Sequence, residues 1–242
     1  MLSIFVSALN EEKNIGATIE TLFRAAEAAG GIPIEILAVN DGSTDQTGDI
    51  IDAYGKRDPR VRPIHHEQNL GIGCGFKEAV AQARHPKFMI APGDNDTPPE
   101  MLTDLMKCCD RADLILGYWL NREDRGRYRN IVSTLFNAAY MVSFNVFVQY
   151  LNGPTIYPTE KLRALTIRAE RFSICAEVTI KLLRTGCTFS EISGYMRTGI
   201  EGSGSLQFRN LSEVISTFVM LLYEVHYSKR AEFRGRPQRV RL

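Results

Sequence analysis

The chain has 242 residues, 44% of them hydrophobic and 24% charged, enough apolar mass for one large core or a core with a small appendage. Lysine and arginine number 29 against 28 acidic residues, a net charge of +1 that removes any whole-protein electrostatic case for nucleic acid. Five cysteines (Cys74, Cys108, Cys109, Cys175, Cys187) with no CxxC pair point to thiols in a reducing compartment, not to a disulfide frame or a zinc site.

Leu2–Ser7 predicts a strand at the very start, so no signal peptide is expected. Asn10 is placed to cap a helix whose Ile15, Ile19, Leu22, Phe23 and Ala26 share one face, and Gly30-Gly31 ends it. Ile34–Val39 is the second strand and runs into Asn40-Asp41-Gly42. Ser43 and Gln46 form a capping box for a helix to about Tyr54. Val61–His65 is a third strand, Gly71–Ala83 a helix, and Phe88–Ala91 a short buried fourth strand. That strand leads into Gly93-Asp94-Asn95-Asp96, and Thr97-Pro98-Pro99-Glu100 reads as a capping box with proline in the first helical turn. Strands separated by helices imply a mostly parallel sheet flanked by helices. The polar turns at Asn10-Glu11, Asn40-Asp41 and Asp94–Asp96 then converge on one edge, where open α/β sheets bind ligands.

A fifth strand, Leu114–Gly117, precedes Asn121–Arg129, which holds four arginines and two acids. From Asn130 to Thr159 no residue is charged. Ile131–Tyr150 is compatible with a long helix but too polar for a spanning one, so it is either buried against the sheet or laid in a membrane interface. Glu177–Arg184 reads as a helix and Cys187–Ile192 as a strand. Leu211, Val214, Ile215, Phe218, Leu221, Leu222 and Val225 form an amphipathic helix. The tail from Lys229 to Leu242 carries six basic residues against Glu232. Helix and tail together either dock on an anionic leaflet or form a packed helix with a frayed end.

Four ordered stretches resemble glycosyltransferase family 2, most closely its dolichol-phosphate mannosyltransferase-like branch: Val6–Ile15, Ala38–Thr47, Asn69–Val80 and the Asp94 turn. The likeness covers residues 1–120 well and the remainder loosely. It implies a GT-A (Rossmann-like) α/β fold in a single domain over residues 1–210, with a nucleotide-sugar half (1–120), an acceptor half (121–210) and a C-terminal helical extension over 211–242. It places Ala8, Asn10, Glu11, Gly71 and Gly93 in the nucleotide-binding site and Asp41 against the base, while Gly71, Gly73 and Gly75 would let the backbone approach the diphosphate or the sheet. Leu9 stands where the family often has an aromatic residue.

The family's Asp-x-Asp pattern fits in two registers. Read literally it is Asp94-Asn95-Asp96; anchored on Pro99-Glu100, its metal-binding second aspartate is Asp94 and its first falls on Pro92. Either way the resemblance implies that Asp94, with or without Asp96, holds Mg²⁺ or Mn²⁺ against the diphosphate. Arg122, Arg125, Arg127 and Arg129 match arginines that contact an acceptor phosphate. Arg197 lies in a segment similar to the family's diphosphate loop, whose lysine is missing here.

The expectation is an inverting, metal-dependent transferase that uses a UDP- or GDP-linked sugar and a polyprenyl-phosphate acceptor. It is expected in the cytoplasm or peripherally at the cytoplasmic membrane face, without nucleic acid. Two alternatives stay open. One is a saccharide hydroxyl acceptor, with Glu177 or Asp96 as base; the other is a binding homologue without transfer activity.

Overall fold

The computed structural model describes residues 1–121, 127–171, 173–196 and 208–241. Five strands come first, each followed by a helix on the way to the next: β1 (Leu2–Ala8), α1 (Ile15–Ala28), β2 (Ile34–Asp41), α2 (Thr47–Arg57), β3 (Val61–His66), α3 (Ile72–Gln82), β4 (Lys87–Pro92), α4 (Pro99–Lys107) and β5 (Leu114–Trp119). There follow α5 (Arg127–Phe144), β6 (Thr155–Pro158), α6 (Thr159–Ala164), α7 (Ile174–Arg184), β7 (Thr188–Gly194), α8 (Phe208–Tyr223), a π-helical turn over Glu224–Ser228, and β8 (Gln238–Arg239). They build one eight-stranded sheet in the order β3-β2-β1-β4-β6-β5-β7-β8. All neighbours pair in parallel except β6, which runs antiparallel to both β4 and β5.

The two-residue period of the strands divides the core into two layers. Leu2, Ile4 and Val6 of β1, with Ile36, Ala38 and Met89, face α1 and α4 through Ile15, Ile19, Leu22, Met101 and Leu105. Phe5, Leu37, Val39, Phe88 and Ile90 face the other way, onto Phe76 of α3 and Val178 and Leu182 of α7. Three rings centre this second layer: Phe76 meets Phe88 edge-on at 5.4 Å and Phe5 at 6.1 Å. Burial on both faces is why these strands read as continuous apolar runs. Because β1, β2, β4 and β5 share a direction, the turns after Ala8, Asp41, Pro92 and Trp119 all lie at one edge, called the carboxyl edge below.

Several local expectations are corrected. None of the three caps forms as expected. α1 begins at Ile15 after Asn14, because Asn10 adopts φ +57° and spends its side chain on the next loop. α2 begins at Thr47, since the Ser43 hydroxyl accepts a bond from the Asn10 N–H instead. α4 has Pro99 at its first position but Pro98 as its cap, which leaves Thr97 outside. The uncharged helix stops at Phe144, short of Tyr150, where Asn145 turns left-handed at φ +51°. The four-residue strand β6 is too short to show a period, and nothing in its residues announces it. The tail is not frayed: Phe233 is buried, β8 pairs with β7, and Val240 N–H bonds to Phe189 O at 2.8 Å.

Truncating the ring at the centre of the aromatic layer tests this packing. Phe88→Ala is expected to lower unfolding free energy by about 3–5 kcal/mol in urea denaturation.

Candidate functional site

The carboxyl edge is assembled by hydrogen bonds between its own turns. Asn10 Oδ1 accepts the Thr44 N–H at 2.9 Å, and Ser43 Oγ accepts the Asn10 N–H at 3.0 Å. Thr47 Oγ1 accepts the Glu11 N–H at 2.8 Å and Asp45 Oδ2 the Glu12 N–H at 3.1 Å, while Glu12 Oε2 takes the Gln46 N–H at 3.1 Å. The loops after β1 and β2 thus satisfy each other's backbone donors. Asp45 was not anticipated; its other oxygen caps α2 through the Thr47 N–H at 3.0 Å. Its place two residues before the helix is the sequence signal that could have found it.

Asp41 does the same for the loop after β3. Its Oδ1 accepts the Leu70 N–H at 2.9 Å and lies 2.7 Å from His66 Nδ1, and its Oδ2 accepts the Gly71 N–H at 2.9 Å. The other nitrogen of His66 lies 3.0 Å from Glu78. Burial of the ring opposes its charge, but the bonds and charges of Asp41 and Glu78 outweigh it and raise the His66 pKa. Gly71, with φ +90°, and Gly73 make room for backbone rather than ligand: a Cβ would meet Glu170 O at 2.7 Å at the first and Ala169 O at 2.6 Å at the second.

The Asp94 turn is joined to this frame through Gly93. The Gly93 N–H bonds to Ser7 O and its carbonyl accepts the Thr18 hydroxyl, both at 2.9 Å. Ala8, beside it, is buried. A Cβ at Gly93 would stand 2.9 Å from Ser7 O, so the glycine is required for closeness. Asp94 Oδ1 accepts the Asp96 N–H at 3.1 Å in a tight Asx turn, with Asn95 left-handed at φ +55°. Burial, then the charges of Asp96 and Glu11, push the Asp94 carboxyl above its usual range, against its bond from the Asp96 N–H. Glu11 itself accepts the Asn14 side-chain amide at 2.8 Å.

The charges of Asp96 and Glu11 both oppose ionisation of the half-buried Asp94, and a divalent cation there would relieve that repulsion. Among the described residues no three acids, histidines or cysteines lie close enough to hold a metal alone. Mg²⁺ or Mn²⁺ requires only one or two protein carboxylates when phosphate oxygens complete the shell, so the Asp94 turn fits the ion.

Glu177 is corrected. Its side chain is fully buried in α7, where its oxygens accept the Arg168 N–H at 3.1 Å, the Ala169 N–H at 2.7 Å and Lys181 Nζ at 2.5 Å. Lys181, itself 1% exposed, also holds Glu224 at 2.7 Å. Glu177 is therefore a brace with no free lone pair facing the edge. Arg122, Arg125 and Arg197 lie outside the described residues, as do the side chains of Arg127 and Arg129. Asn121 and Met196, the described residues just before Arg122 and Arg197, are joined: Asn121 Oδ1 accepts the Met196 N–H at 2.8 Å, and its amide returns a bond to Met196 O at 3.2 Å.

Residues 3–174 match the model of "Glycosyl transferase family 2". The chain is 30% identical over 131 residues to the uncharacterized glycosyltransferase EpsJ of Bacillus subtilis, over 53% of this chain and 37% of that one. It is 31% identical over 136 residues to a prophage bactoprenol glucosyl transferase homolog of Escherichia coli, over 56% of this chain and 44% of that protein. The match thus spans less than half the length of these curated relatives. Glucosyl-3-phosphoglycerate synthase from Mycobacterium tuberculosis, solved with Mn²⁺, UDP and phosphoglyceric acid, superposes with a TM-score of 0.69 at 17% identity, over 92% of this chain and 78% of that one. That likeness shows the GT-A fold, a mostly parallel sheet flanked by helices.

His66 makes the frame's stability depend on pH. A histidine whose folded pKa is raised stabilises fully below its unfolded value near 6.5 and less as pH climbs through the folded value. The melting temperature of the wild type, relative to His66→Gln, is expected to fall between pH 6.5 and 8.5 in calorimetry.

Proposed function

The chain belongs to glycosyltransferase family 2, and on that premise we propose that it is an inverting glycosyltransferase, moving a sugar from a nucleotide-diphosphate sugar to a polyprenyl phosphate. The observation that carries the reading is the Asp94 turn, a half-buried carboxylate beside Asp96 and Glu11 at the carboxyl edge. Asp94, with Asp96, would hold Mg²⁺ or Mn²⁺, which neutralises charge on the departing nucleotide diphosphate when bound. Ala8, Glu11 and Gly93 shape the pocket, and Asn10 keeps its loop in place. A carboxylate offers about four lone-pair positions. Asp41 uses three, so one remains to accept an N–H of a uracil or guanine base.

The acceptor assignment rests on the loss of Glu177 as a candidate base and on the arginines that match an acceptor-phosphate grip. A sugar hydroxyl needs a carboxylate to take its proton, and the burial of Glu177 removes one of the two candidates. A phosphate monoester is already anionic. Its oxygen attacks the anomeric carbon directly, the bond from that carbon to the diphosphate oxygen breaks, and the nucleotide leaves with the electron pair. Arg122, Arg125, Arg127 or Arg129 would supply the charge-assisted bonds that grip such an acceptor, and Arg197 would serve the diphosphate. The similarity to a bactoprenol glucosyl transferase homolog supports a lipid phosphate. A lipid acceptor would bring the protein to the cytoplasmic face of the membrane as a peripheral protein.

Thermal stability with UDP, GDP, CDP and dTDP, each with and without Mn²⁺, tests the donor site. One nucleotide at 100 times its dissociation constant is expected to add about 2.7 kcal/mol, a shift of a few degrees, only with metal. Asp94→Ala should lose that shift while keeping its own melting point near the wild type's. A metal-independent shift, or one that survives Asp94→Ala, would contradict the assignment.

A further inference from the structure

We propose that the outward faces of α5 and α8 together form a docking surface for an anionic lipid bilayer, which names the face used in the peripheral membrane contact inferred above. The two helices lie in one layer. Phe218 of α8 packs on Tyr140 at 4.9 Å and on Phe144 at 5.7 Å, and His226 Nε2 lies 2.8 Å from Ser143 O. Their inward faces are therefore occupied, and their outward faces look away from the sheet.

Those outward faces are apolar. On α5 and just past its end, Ile131, Leu135, Val142 and Phe147 are between 51% and 66% exposed or more, with Val142 at 76%. On α8, Ile215 and Val219 continue the face at 55% and 57%. Spacings of four and seven residues put Ile131, Leu135 and Val142 on one stripe of α5, and a spacing of four does the same for Ile215 and Val219 on α8. No charged residue interrupts the first stripe, because none occurs from Asn130 to Thr159. Phe147 also borders a hollow of about 400 Å³ between α5 and Glu191 of β7, lined by Ala138, Met141 and Val148 together with Asn137 and Arg239.

What borders the apolar area selects the occupant. Tyr223 and Tyr227 stack at 6.2 Å, 62% and 75% exposed, directly beyond the stripe of α8. Exposed tyrosines between an apolar and a charged zone are typical of the membrane–water boundary. In the tail that follows them, Arg230, Arg234, Arg236 and Arg241 are exposed and have no ion-pair partner among the described residues. Unpaired arginines beside an apolar face complement anionic headgroups. A second copy seated on the same face would bring an equal excess of positive charge, so the lipid surface is the better complement. Among the described residues no helix is long and apolar enough to cross a membrane, which fits helices lying along the surface.

Sedimentation with vesicles of phosphatidylcholine, alone or mixed with phosphatidylglycerol, tests the proposal on the full chain. The wild type is expected to sediment with the mixed vesicles and to stay in solution with phosphatidylcholine alone. Leu135→Glu/Val219→Glu should abolish sedimentation with melting temperature and nucleotide-induced shift unchanged, because both side chains are exposed. Arg234→Gln/Arg236→Gln should lower partitioning about 30-fold. Equal sedimentation of wild type and the glutamate variant would overturn the proposal. So would a wild-type dimer in light scattering that the glutamate variant dissociates without any vesicle binding. Transfer to a short-chain, water-soluble polyprenyl phosphate in the absence of vesicles checks the acceptor assignment separately, so failure of one leaves the other readable.

Discussion

A parallel sheet buried on both faces can end its strands only in turns whose backbone donors find partners within the protein. At the carboxyl edge that demand is met between loops. The turns after β1 and β2 trade bonds through Asn10, Ser43, Asp45, Thr47 and Glu12, and Asp41 gathers the loop after β3. Gly93 then fastens the Asp94 turn to Ser7 and Thr18. Remove this lattice and the edge has no fixed shape, whatever side chains it carries.

The lattice also divides labour among the acidic residues. Asp45 and Glu12 are tied to the backbone of the neighbouring loop, and Asp41 is mostly used up. Glu177 is committed to a buried cluster with Lys181 and Glu224, in which each charge requires its partners to offset desolvation. Asp94 and Asp96 remain, and Asp94 is held where its own ionisation is disfavoured. A carboxylate in that condition is improved by a cation, whereas the others are already satisfied.

The sequence made the order of β1 to β5 and the helices between them legible, because strands buried on both faces are apolar throughout and the intervening helices are amphipathic. It also brought the Asn10, Asp41 and Asp94 turns to one edge. What it hid was partnership. Asn10, Ser43 and Thr97 look like helix caps, yet two of them face a loop more than thirty residues away and the third lies outside its helix. Glu177 has the composition of a helix-start carboxylate; only the fold shows Lys181 and Glu224 closing over it. β6 escaped because four residues carry no period, and the tail escaped because a basic composition conceals the one buried anchor, Phe233.

The central claim is that the Asp94 edge transfers a sugar to a phosphate. The most direct measurement follows a radiolabelled sugar from whichever nucleotide binds, in the presence of Mn²⁺, into polyprenyl phosphate and, separately, into a glycan. The account predicts label in the lipid fraction, with the anomeric configuration inverted and the product absent with Asp94→Ala. Label in the glycan alone, or nucleotide binding with no transfer to either, would contradict it.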